Sequence, residues 1–408
     1  MSGPATVGWC PGALRPMASG DGLILRVKPR GGRLGFDQAA AVADLATRFG
    51  NGHLDLTGRA NLQIRGARPD SIAALTAGLR QAGLLDASEA VETLRNIVAS
   101  PLAGHDPEGV EVRPFLAALE AGLTAGAAAG LALPAKWSFV VDGGGRLPLA
   151  GVSADMRFRF DRSGPMRLGL ADAWAEPFAA PPDLPPLLAA VAALVAAQPE
   201  SGRMAALLSR LGAAPVFAAL GLRLAAAPVA EPPPVESADL FGLTEDVVAL
   251  APPFGGLEAE TLTEIVVACR AAGAADLRLT PWRVLLVVGV ADRAGLVARL
   301  GRLGLIVAAD DPCLAVTACV GAPACHRATV ATRTDAAMLA GRLDGTGSIH
   351  VSGCIKGCGR PADAAWTLVA RDGRYDAHRG GDAHPRITGL SSTGAANWLS
   401  RAERARVS

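Results

Sequence analysis

Cys319-Val-Gly-Ala-Pro-Ala-Cys325, followed by Ser352-Gly353-Cys354-Ile355-Lys356-Gly357-Cys358-Gly359-Arg360-Pro361, is the stretch around which the chain is organised. Four of the seven cysteines fall here, as Cys-x5-Cys and then Cys-x3-Cys. Each pair sits among Gly and Pro, which let backbone approach a bulky inorganic core. Pro323 suits the first turn of a helix beginning at Ala324, which would put Cys325 near a helix N-terminus, where thiolate charge is favoured. Residues 347–351 read as a strand feeding the second pair. Four thiolates can hold zinc or an iron–sulfur cluster. Structural zinc sites space their paired cysteines by about two to four residues, and the first pair is loose for that. Four unrelated buried cysteines are the bland alternative, against which two tight pairs with Gly/Pro punctuation speak. The spacing favours a [4Fe–4S] cluster on Cys319, Cys325, Cys354 and Cys358.

The whole chain sets bounds on this reading. Its 408 residues allow roughly two or three domains and a large core. A net charge of +1, from 39 basic and 38 acidic residues, implies no bulk polyanion partner. Aromatic residues make up only 4%, which argues against base-stacking platforms, so no nucleic-acid partner is expected. The Ala-rich stretch around Leu123–Leu133 is too short to span a membrane, and no membrane partner is expected. No basic segment followed by an apolar one opens the chain, so a cytoplasmic, reducing location is expected, which also disfavours disulfides. Only three of the basic residues are lysines, Lys28, Lys136 and Lys356. Lysine and arginine are not equivalent donors, so a lysine kept against that bias is a candidate for a specific task.

In chain order, Leu23–Lys28 alternates like a strand, and Asp37–Phe49 repeats apolar residues with a helical period closed by Gly50. His53–Leu56 and Asn61–Arg65 read as strands hinged at Thr57-Gly58-Arg59, and a helix follows Asp70. This β-α-β-β-α order reads as a ferredoxin-like half. It recurs as strand Asp246–Ala251, helix Glu258–Ala271, strands Leu277–Thr280 and Arg283–Val288, and helix Ala291–Leu303. Thr57 falls on Thr280, Leu34 on Leu257 and Gly66 on Gly289, all offset by 223. Arg59 falls on Trp282, so a charged site is expected mainly in the first copy. Between the copies lie a helix near Val112–Ala128, strands at Trp137–Val141 and Met156–Phe160, and helices at Leu187–Ala197 and Arg203–Leu211. The Ala/Pro-rich Ala213–Ser237 reads as a linker. The cysteine domain reads as helix Ala328–Leu343, strands Ser348–Ser352 and Ala365–Arg371, and helix Ser392–Ala405. The boundaries are therefore 1–87, first half; 88–212, an α/β domain; 213–237, linker; 238–310, second half; and 311–408, a second α/β domain.

Cys-x5-Cys with a later Gly-Cys-x3-Cys-x-x-Pro resembles the cluster motif of the nitrite/sulfite reductase superfamily. The resemblance implies an α+β fold of two ferredoxin-like halves interleaved with two α/β domains, the last carrying a [4Fe–4S] cluster. In that superfamily the cysteine matching Cys358 also bridges to the iron of sirohaem, and four cationic residues surround a small oxyanion. Thr57-Gly-Arg59-Ala-Asn-Leu-Gln63 resembles its Thr-x-Arg-Gln-type hinge, which gives Arg59 the first cationic role. Arg95-Asn96 resembles its Arg-Asn motif, which gives Arg95 the second. Leu133-Pro-Ala-Lys136-Trp-Ser138 resembles its Leu-Pro-Arg-Lys-Phe-Lys segment and keeps Lys136, but Ser138 replaces the second lysine. That departure counts against sulfite or nitrite reduction.

Cys10-Pro-Gly, Arg15-Pro-Met, Gly20-Asp-Gly22 and Ser-Gly-Cys354-x-Lys356-Gly-Cys358 resemble the precorrin-3B synthase branch. Its reaction, an O2-dependent hydroxylation of a meso carbon of precorrin-3A with closure of a γ-lactone, makes the tetrapyrrole a substrate rather than a cofactor. A polycarboxylate needs cationic forks, for which Arg33, Arg59, Arg65, Arg95, Lys136 and Lys356 are the candidates. Single electrons can pass through a cluster, and dioxygen activation calls for an additional non-haem iron with open positions. His326 and His350 are the imidazoles nearest the cysteines. No nucleotide fingerprint is present, so an external electron donor is expected. The alternatives are a sirohaem-dependent sulfite or nitrite reductase, a non-catalytic tetrapyrrole or iron–sulfur carrier, and a zinc-stabilised structural protein.

Overall fold

A computed structural model describes residues 10–162, 164–342, 347–361 and 364–407, side chains to 402. The end of the helix expected to reach Leu343 lies outside the described residues.

Strands Gly22–Val27 and Leu62–Ala67 pair antiparallel, with Leu25 opposite Ile64, Arg26 opposite Gln63 and Val27 opposite Leu62. Side chains alternate along a strand, so the sheet has an apolar face and a polar one. Leu25, Val27, Leu62 and Ile64 are buried in a core shared with helices Phe36–Phe49 and Ile72–Gln81. Arg26, Gln63, Arg65 and Asp55 occupy the opposite face.

The two halves exchange a short strand. The first sheet runs Met17–Ser19, Gly22–Val27, Leu62–Ala67, His53–Leu56, and then Gly256–Glu258 from the second half. The second runs Val247–Leu250, Leu285–Val288, Asp276–Leu279, and then Arg33–Leu34 from the first. Leu257 pairs with Leu54, and Leu34 with Leu277. These pairs are related by the offset of 223 found in the sequence. Backbone φ follows the same offset, at 58° and 56° for Gly31 and Phe254, 52° and 58° for Ala60 and Arg283, and 70° and 68° for Gly66 and Gly289. Phe254 and Arg283 hold the left-handed conformation without glycine, at a cost the surrounding repeat geometry must offset. Leu262, Ile265, Leu277 and Leu300 of the second half share the core of the first, so the halves form one unit.

The first α/β domain has strands Ile97–Ala99, Phe139–Asp142 and Met156–Arg159 in parallel, then Arg167–Leu170 and Ala173–Trp174 antiparallel. Helices Arg113–Ala128, Leu184–Ala196 and Met204–Leu211 pack on it. The stretch expected as a linker opens differently. Ala213–Ala219 is a helix, and Val216 and Phe217 are buried in this domain's core. Its alanines favour helix, and its two large apolar residues give that helix a face to bury. Phe217→Ala should therefore cost about 3–5 kcal/mol in equilibrium unfolding, where a true linker position would cost almost nothing.

The last domain has strands Val316–Ala318, Ile349–Ser352 and Trp366–Arg371 in parallel, then Arg374–Arg379 and Ile387–Leu390 antiparallel. The helix expected to begin at Ala324 or Ala328 begins instead at Thr332 and ends at Ala340. Before it, Cys325 N donates to Gly321 O and Ala328 N to Cys325 O, so the first cysteine loop is a run of turns. Among the described residues no helix is long and apolar enough to cross a membrane.

Candidate functional site

The polar face of the first sheet, Lys136 of the first α/β domain, Trp282 and Arg283 of the second half, and both cysteine loops enclose one cleft of about 1510 Å³. That exceeds the roughly 300–1,000 Å³ of pockets for drug-sized ligands.

All four cysteines of the two pairs line it. Cys319 follows strand Val316–Ala318, and its N–H extends the ladder to Val351 O at 3.1 Å. Gly353 N donates to Cys319 Sγ at 3.1 Å, a direct link between the two loops. A Cβ on Gly353 would lie 2.6 Å from Ala328 Cβ, which is why the Ser-Gly-Cys order admits only glycine there. Ser352 Oγ donates to Cys354 O at 2.7 Å and shapes the second loop. Loss of solvation pushes the Cys358 thiol up; Lys356 opposes this, while negative charge on Cys319, Cys354 and Cys325 adds to it. The four sulfurs are thus within electrostatic reach of one another, and a cationic iron core would relieve that repulsion. Among the described residues, no three His, Cys, Asp or Glu side chains are grouped to share one metal ion. The donor set fits a polynuclear iron–sulfur core.

Of the expected cations, Arg59, Arg65, Lys136 and Lys356 line the cleft. Thr57 Oγ1 accepts from Arg59 N at 3.3 Å and Asn61 N at 3.2 Å, which fixes the hinge that projects Arg59. Arg59 donates to Ser153 O at 2.7 Å; burial, then the neighbouring Arg203, push its pKa down. Its charge is costly there, which favours an anionic partner. Arg65 differs. It is 3% exposed, and Asp21, Asp55 and Ser19 already occupy its fork.

Arg33 and Arg95 are not brought to the cleft. Arg33 pairs with Asp276 at 2.7 Å on the second sheet. Arg95 is buried with its fork on Asp86, at 2.8 and 2.9 Å, and a further bond to Lys28 O. Asn96 accepts from buried Lys28 Nζ at 2.7 Å and donates to Trp137 O at 3.1 Å. The Arg-Asn pair therefore fastens the first half to the first α/β domain. Ser138 also turns inward, donating from N and Oγ to buried Asp155.

Five cleft cations were missed in the sequence, Arg26, Arg283, Arg327, Arg333 and Arg360, and two of them lie on the ferredoxin-like halves. Arg26 lines the cleft with its Nε buried and without a hydrogen-bond partner. The signal available was a lone Arg inside the apolar run Leu23–Val27. Arg283 donates to Ala318 O at 3.5 Å and Gly359 O at 3.2 Å, beside the cysteine loops. The second repeat thus carries one charge into the site, one position after Trp282, beside Arg26, Arg59 and Arg65 from the first.

His326 lines the cleft, whereas His350 is fully buried beneath it. His350 Nδ1 lies 2.9 Å from Thr317 Oγ1, and Nε2 has no partner. Burial, then Arg283 and Arg360, push its pKa from 6.5 down to about 4. Between those values the unfolded chain binds the extra proton, so stability contributed by neutral His350 is present above pH 6.5 and lost as pH falls towards 4. The loss is about 3 kcal/mol. Urea unfolding of His350→Gln between neutral pH and pH ~4.5 should show a flatter acid limb than the parent.

Residues 15–82 match the nitrite/sulfite reductase ferredoxin-like half domain. A precorrin-3B synthase from Sinorhizobium sp is 30% identical over 96% of this chain and 84% of its own length. This chain belongs to the precorrin-3B synthase family. Like other members it is an enzyme, of the oxidoreductase class. Similarity to ferredoxin–nitrite reductases is more local. The Leptolyngbya laminosa protein is 35% identical over 24% of this chain and 20% of its own length. The Spinacia oleracea protein is 34% identical over 29% of this chain and 21% of its own length. The structure of Mycobacterium tuberculosis NirA superposes with a TM-score of 0.73 at 21% identity, covering 94% of this chain and 80% of that one, a likeness of fold.

Proposed function

We propose that this member of the family hydroxylates a meso carbon of precorrin-3A, with closure of a ring acetate to a γ-lactone, to give precorrin-3B in aerobic cobalamin biosynthesis. The observation that carries this reading is the meeting of both cysteine pairs with uncommitted cations in one large cleft. One atom of dioxygen enters the product, and the other leaves as water with two electrons and two protons. Cys319, Cys325, Cys354 and Cys358 would hold a [4Fe–4S] cluster, which supplies single-electron transfer when bound. Arg26, Arg59, Lys136, Arg283 and Lys356 would seat the substrate's carboxylates, arginine forks fixing orientation as well as affinity. Arg65 lines the same wall but is already paired. A non-haem iron with open positions for dioxygen belongs to this reading, and His326 is the imidazole that faces the cleft. Electrons come from an external donor, for which the ferredoxin in the reductases' names is the natural type. Reduced thiols suit a cytoplasmic setting.

The second reading is a sirohaem-dependent sulfite or nitrite reductase, favoured by the shared fold. Against it stand the local extent of the reductase matches and the inward-turned Ser138 where a cleft lysine would be needed. The absorption spectrum of anaerobically purified protein, with iron and sulfide counts, separates the two. A broad cluster absorbance without tetrapyrrole bands, and iron beyond one cluster, supports the monooxygenase. Sharp sirohaem bands that persist through purification would overturn it.

A further inference from the structure

The turn Ser19-Gly20-Asp21-Gly22 of the first half touches the first cysteine loop. Ala324 O, one residue before Cys325, accepts from Ser19 Oγ at 2.9 Å, Gly20 N at 3.1 Å and Arg65 Nη2 at 3.2 Å. Arg65 is itself held by both carboxylate oxygens of Asp21, at 2.8 and 2.9 Å, and by Asp55 at 3.1 Å. Asp55 also takes the guanidinium of Arg333, in the first turn of the helix that follows the cysteine loop. The preceding residue, Thr332, donates to Cys319 O at 2.6 Å. The alternating chain Asp21–Arg65–Asp55–Arg333 therefore reaches both cysteines of the first pair, Cys325 through the Ala324 carbonyl and Cys319 through Thr332. Contact at the turn is close. A Cβ on Gly20 would lie 2.7 Å from His326 N and 3.0 Å from Pro323 O.

We propose that this network is a latch through which the first half sets the geometry of the Cys319–Cys325 loop, with Arg65 as its positioning residue and not a substrate cation. The inference rests on the reading that these cysteines hold a cluster. The loop is built of turns with no ladder of its own through residues 321–331, so its order depends on what clamps it. A guanidinium can reach several acceptors at once in fixed directions, which an ammonium cannot.

Gly20→Ala tests the latch sterically, at an exposed turn and without touching charge. Arg65→Lys tests it chemically, keeping the charge and losing the fork. Two measurements are made on the full-length protein: anaerobic loss of iron to a ferrous chelator, and, after iron is stripped, the alkylation rate of each cysteine by mass spectrometry. Both variants should lose iron about tenfold faster, and Cys319 and Cys325 should alkylate about tenfold faster, while Cys354 and Cys358 change less than about twofold. In Arg65→Gln the cluster's reduction midpoint should also move to more negative values, because a cation that favours the more anionic reduced core is gone. Equal acceleration at all four cysteines, or none at any, overturns the proposal. Parent protein that binds no iron at all would defeat the cluster reading instead, and the selectivity of alkylation would still decide the latch.

Discussion

Cys358→Ser is expected to abolish the visible absorbance of the iron–sulfur core, to bring iron and acid-labile sulfide close to zero, and to lower turnover by at least about a thousandfold. The argument starts from the ligand. A serine hydroxyl is a hard, weakly acidic donor, whereas iron–sulfur cores select soft thiolates. Cys358 is exposed to the cleft rather than packed in a core, so the substitution removes a ligand without opening a cavity. The apoprotein's unfolding free energy should stay within about 0.5 kcal/mol of the parent's. Cys269→Ser is the matched control. Cys269 is buried on the core face of helix Ala259–Ala271, and burial pushes its thiol up to about 12, so it is neutral packing and no ligand. That variant should lose stability and keep its iron. Full iron content in Cys358→Ser would remove this cysteine from the cluster, and with it the reading of the second pair.

The fold was legible where a pattern repeats or a period is strict. The halves could be found because Thr57/Thr280 and Gly66/Gly289 share an offset, and each residue does the same work in both copies. Thr57 Oγ1 and Thr280 Oγ1 each accept the N–H two residues on, from Arg59 and Trp282. The cysteine loops were legible because ligand spacing is itself a sequence pattern. The strand exchange was not, since a two-residue strand such as Arg33–Leu34 carries no period. Nor were Arg374–Arg379, whose outward face carries charge and whose inward face offers little beyond Tyr375 and Ala377, and Ile387–Leu390, a four-residue strand with Thr388 and Gly389 exposed at its centre. Pro323 suggested a helix start, but proline at a first turn is only permissive, and Gly321, at φ 72°, closes a turn there instead. The cationic site was half legible. A sequence shows that an Arg exists; whether a carboxylate from elsewhere in the fold reaches it first is a tertiary fact. Asp86 and Asp276 claim Arg95 and Arg33, whereas nothing among the described carboxylates forms an ion pair with Arg26.

Arg59→Gln and Arg95→Gln, which the sequence places in one role, are expected to fail in opposite ways. Arg59 lines the cleft, and the one hydrogen bond of its guanidinium to protein among the described contacts goes to Ser153 O. Removing its charge should leave unfolding within about 0.5 kcal/mol of the parent. It should cost about 1.5–3 kcal/mol of charge-assisted binding to a substrate carboxylate, which is roughly ten- to hundredfold in Kd. Arg95 is 6% exposed, and its carboxylate partners Asp86 and Glu120 have side chains 2% and 10% exposed. Glutamine there leaves the buried Asp86 carboxylate without its bidentate partner, which should cost about 3–5 kcal/mol of stability. The fraction that still folds should bind the tetrapyrrole with unchanged affinity, because Asn96 and Lys28 keep the first half docked on the first α/β domain. Equilibrium unfolding and tetrapyrrole titration of the two variants read both quantities. Weakened binding with intact stability in Arg95→Gln would mean that the Arg-Asn pair reaches the substrate after all, and that the buried pair with Asp86 opens when the cleft is filled.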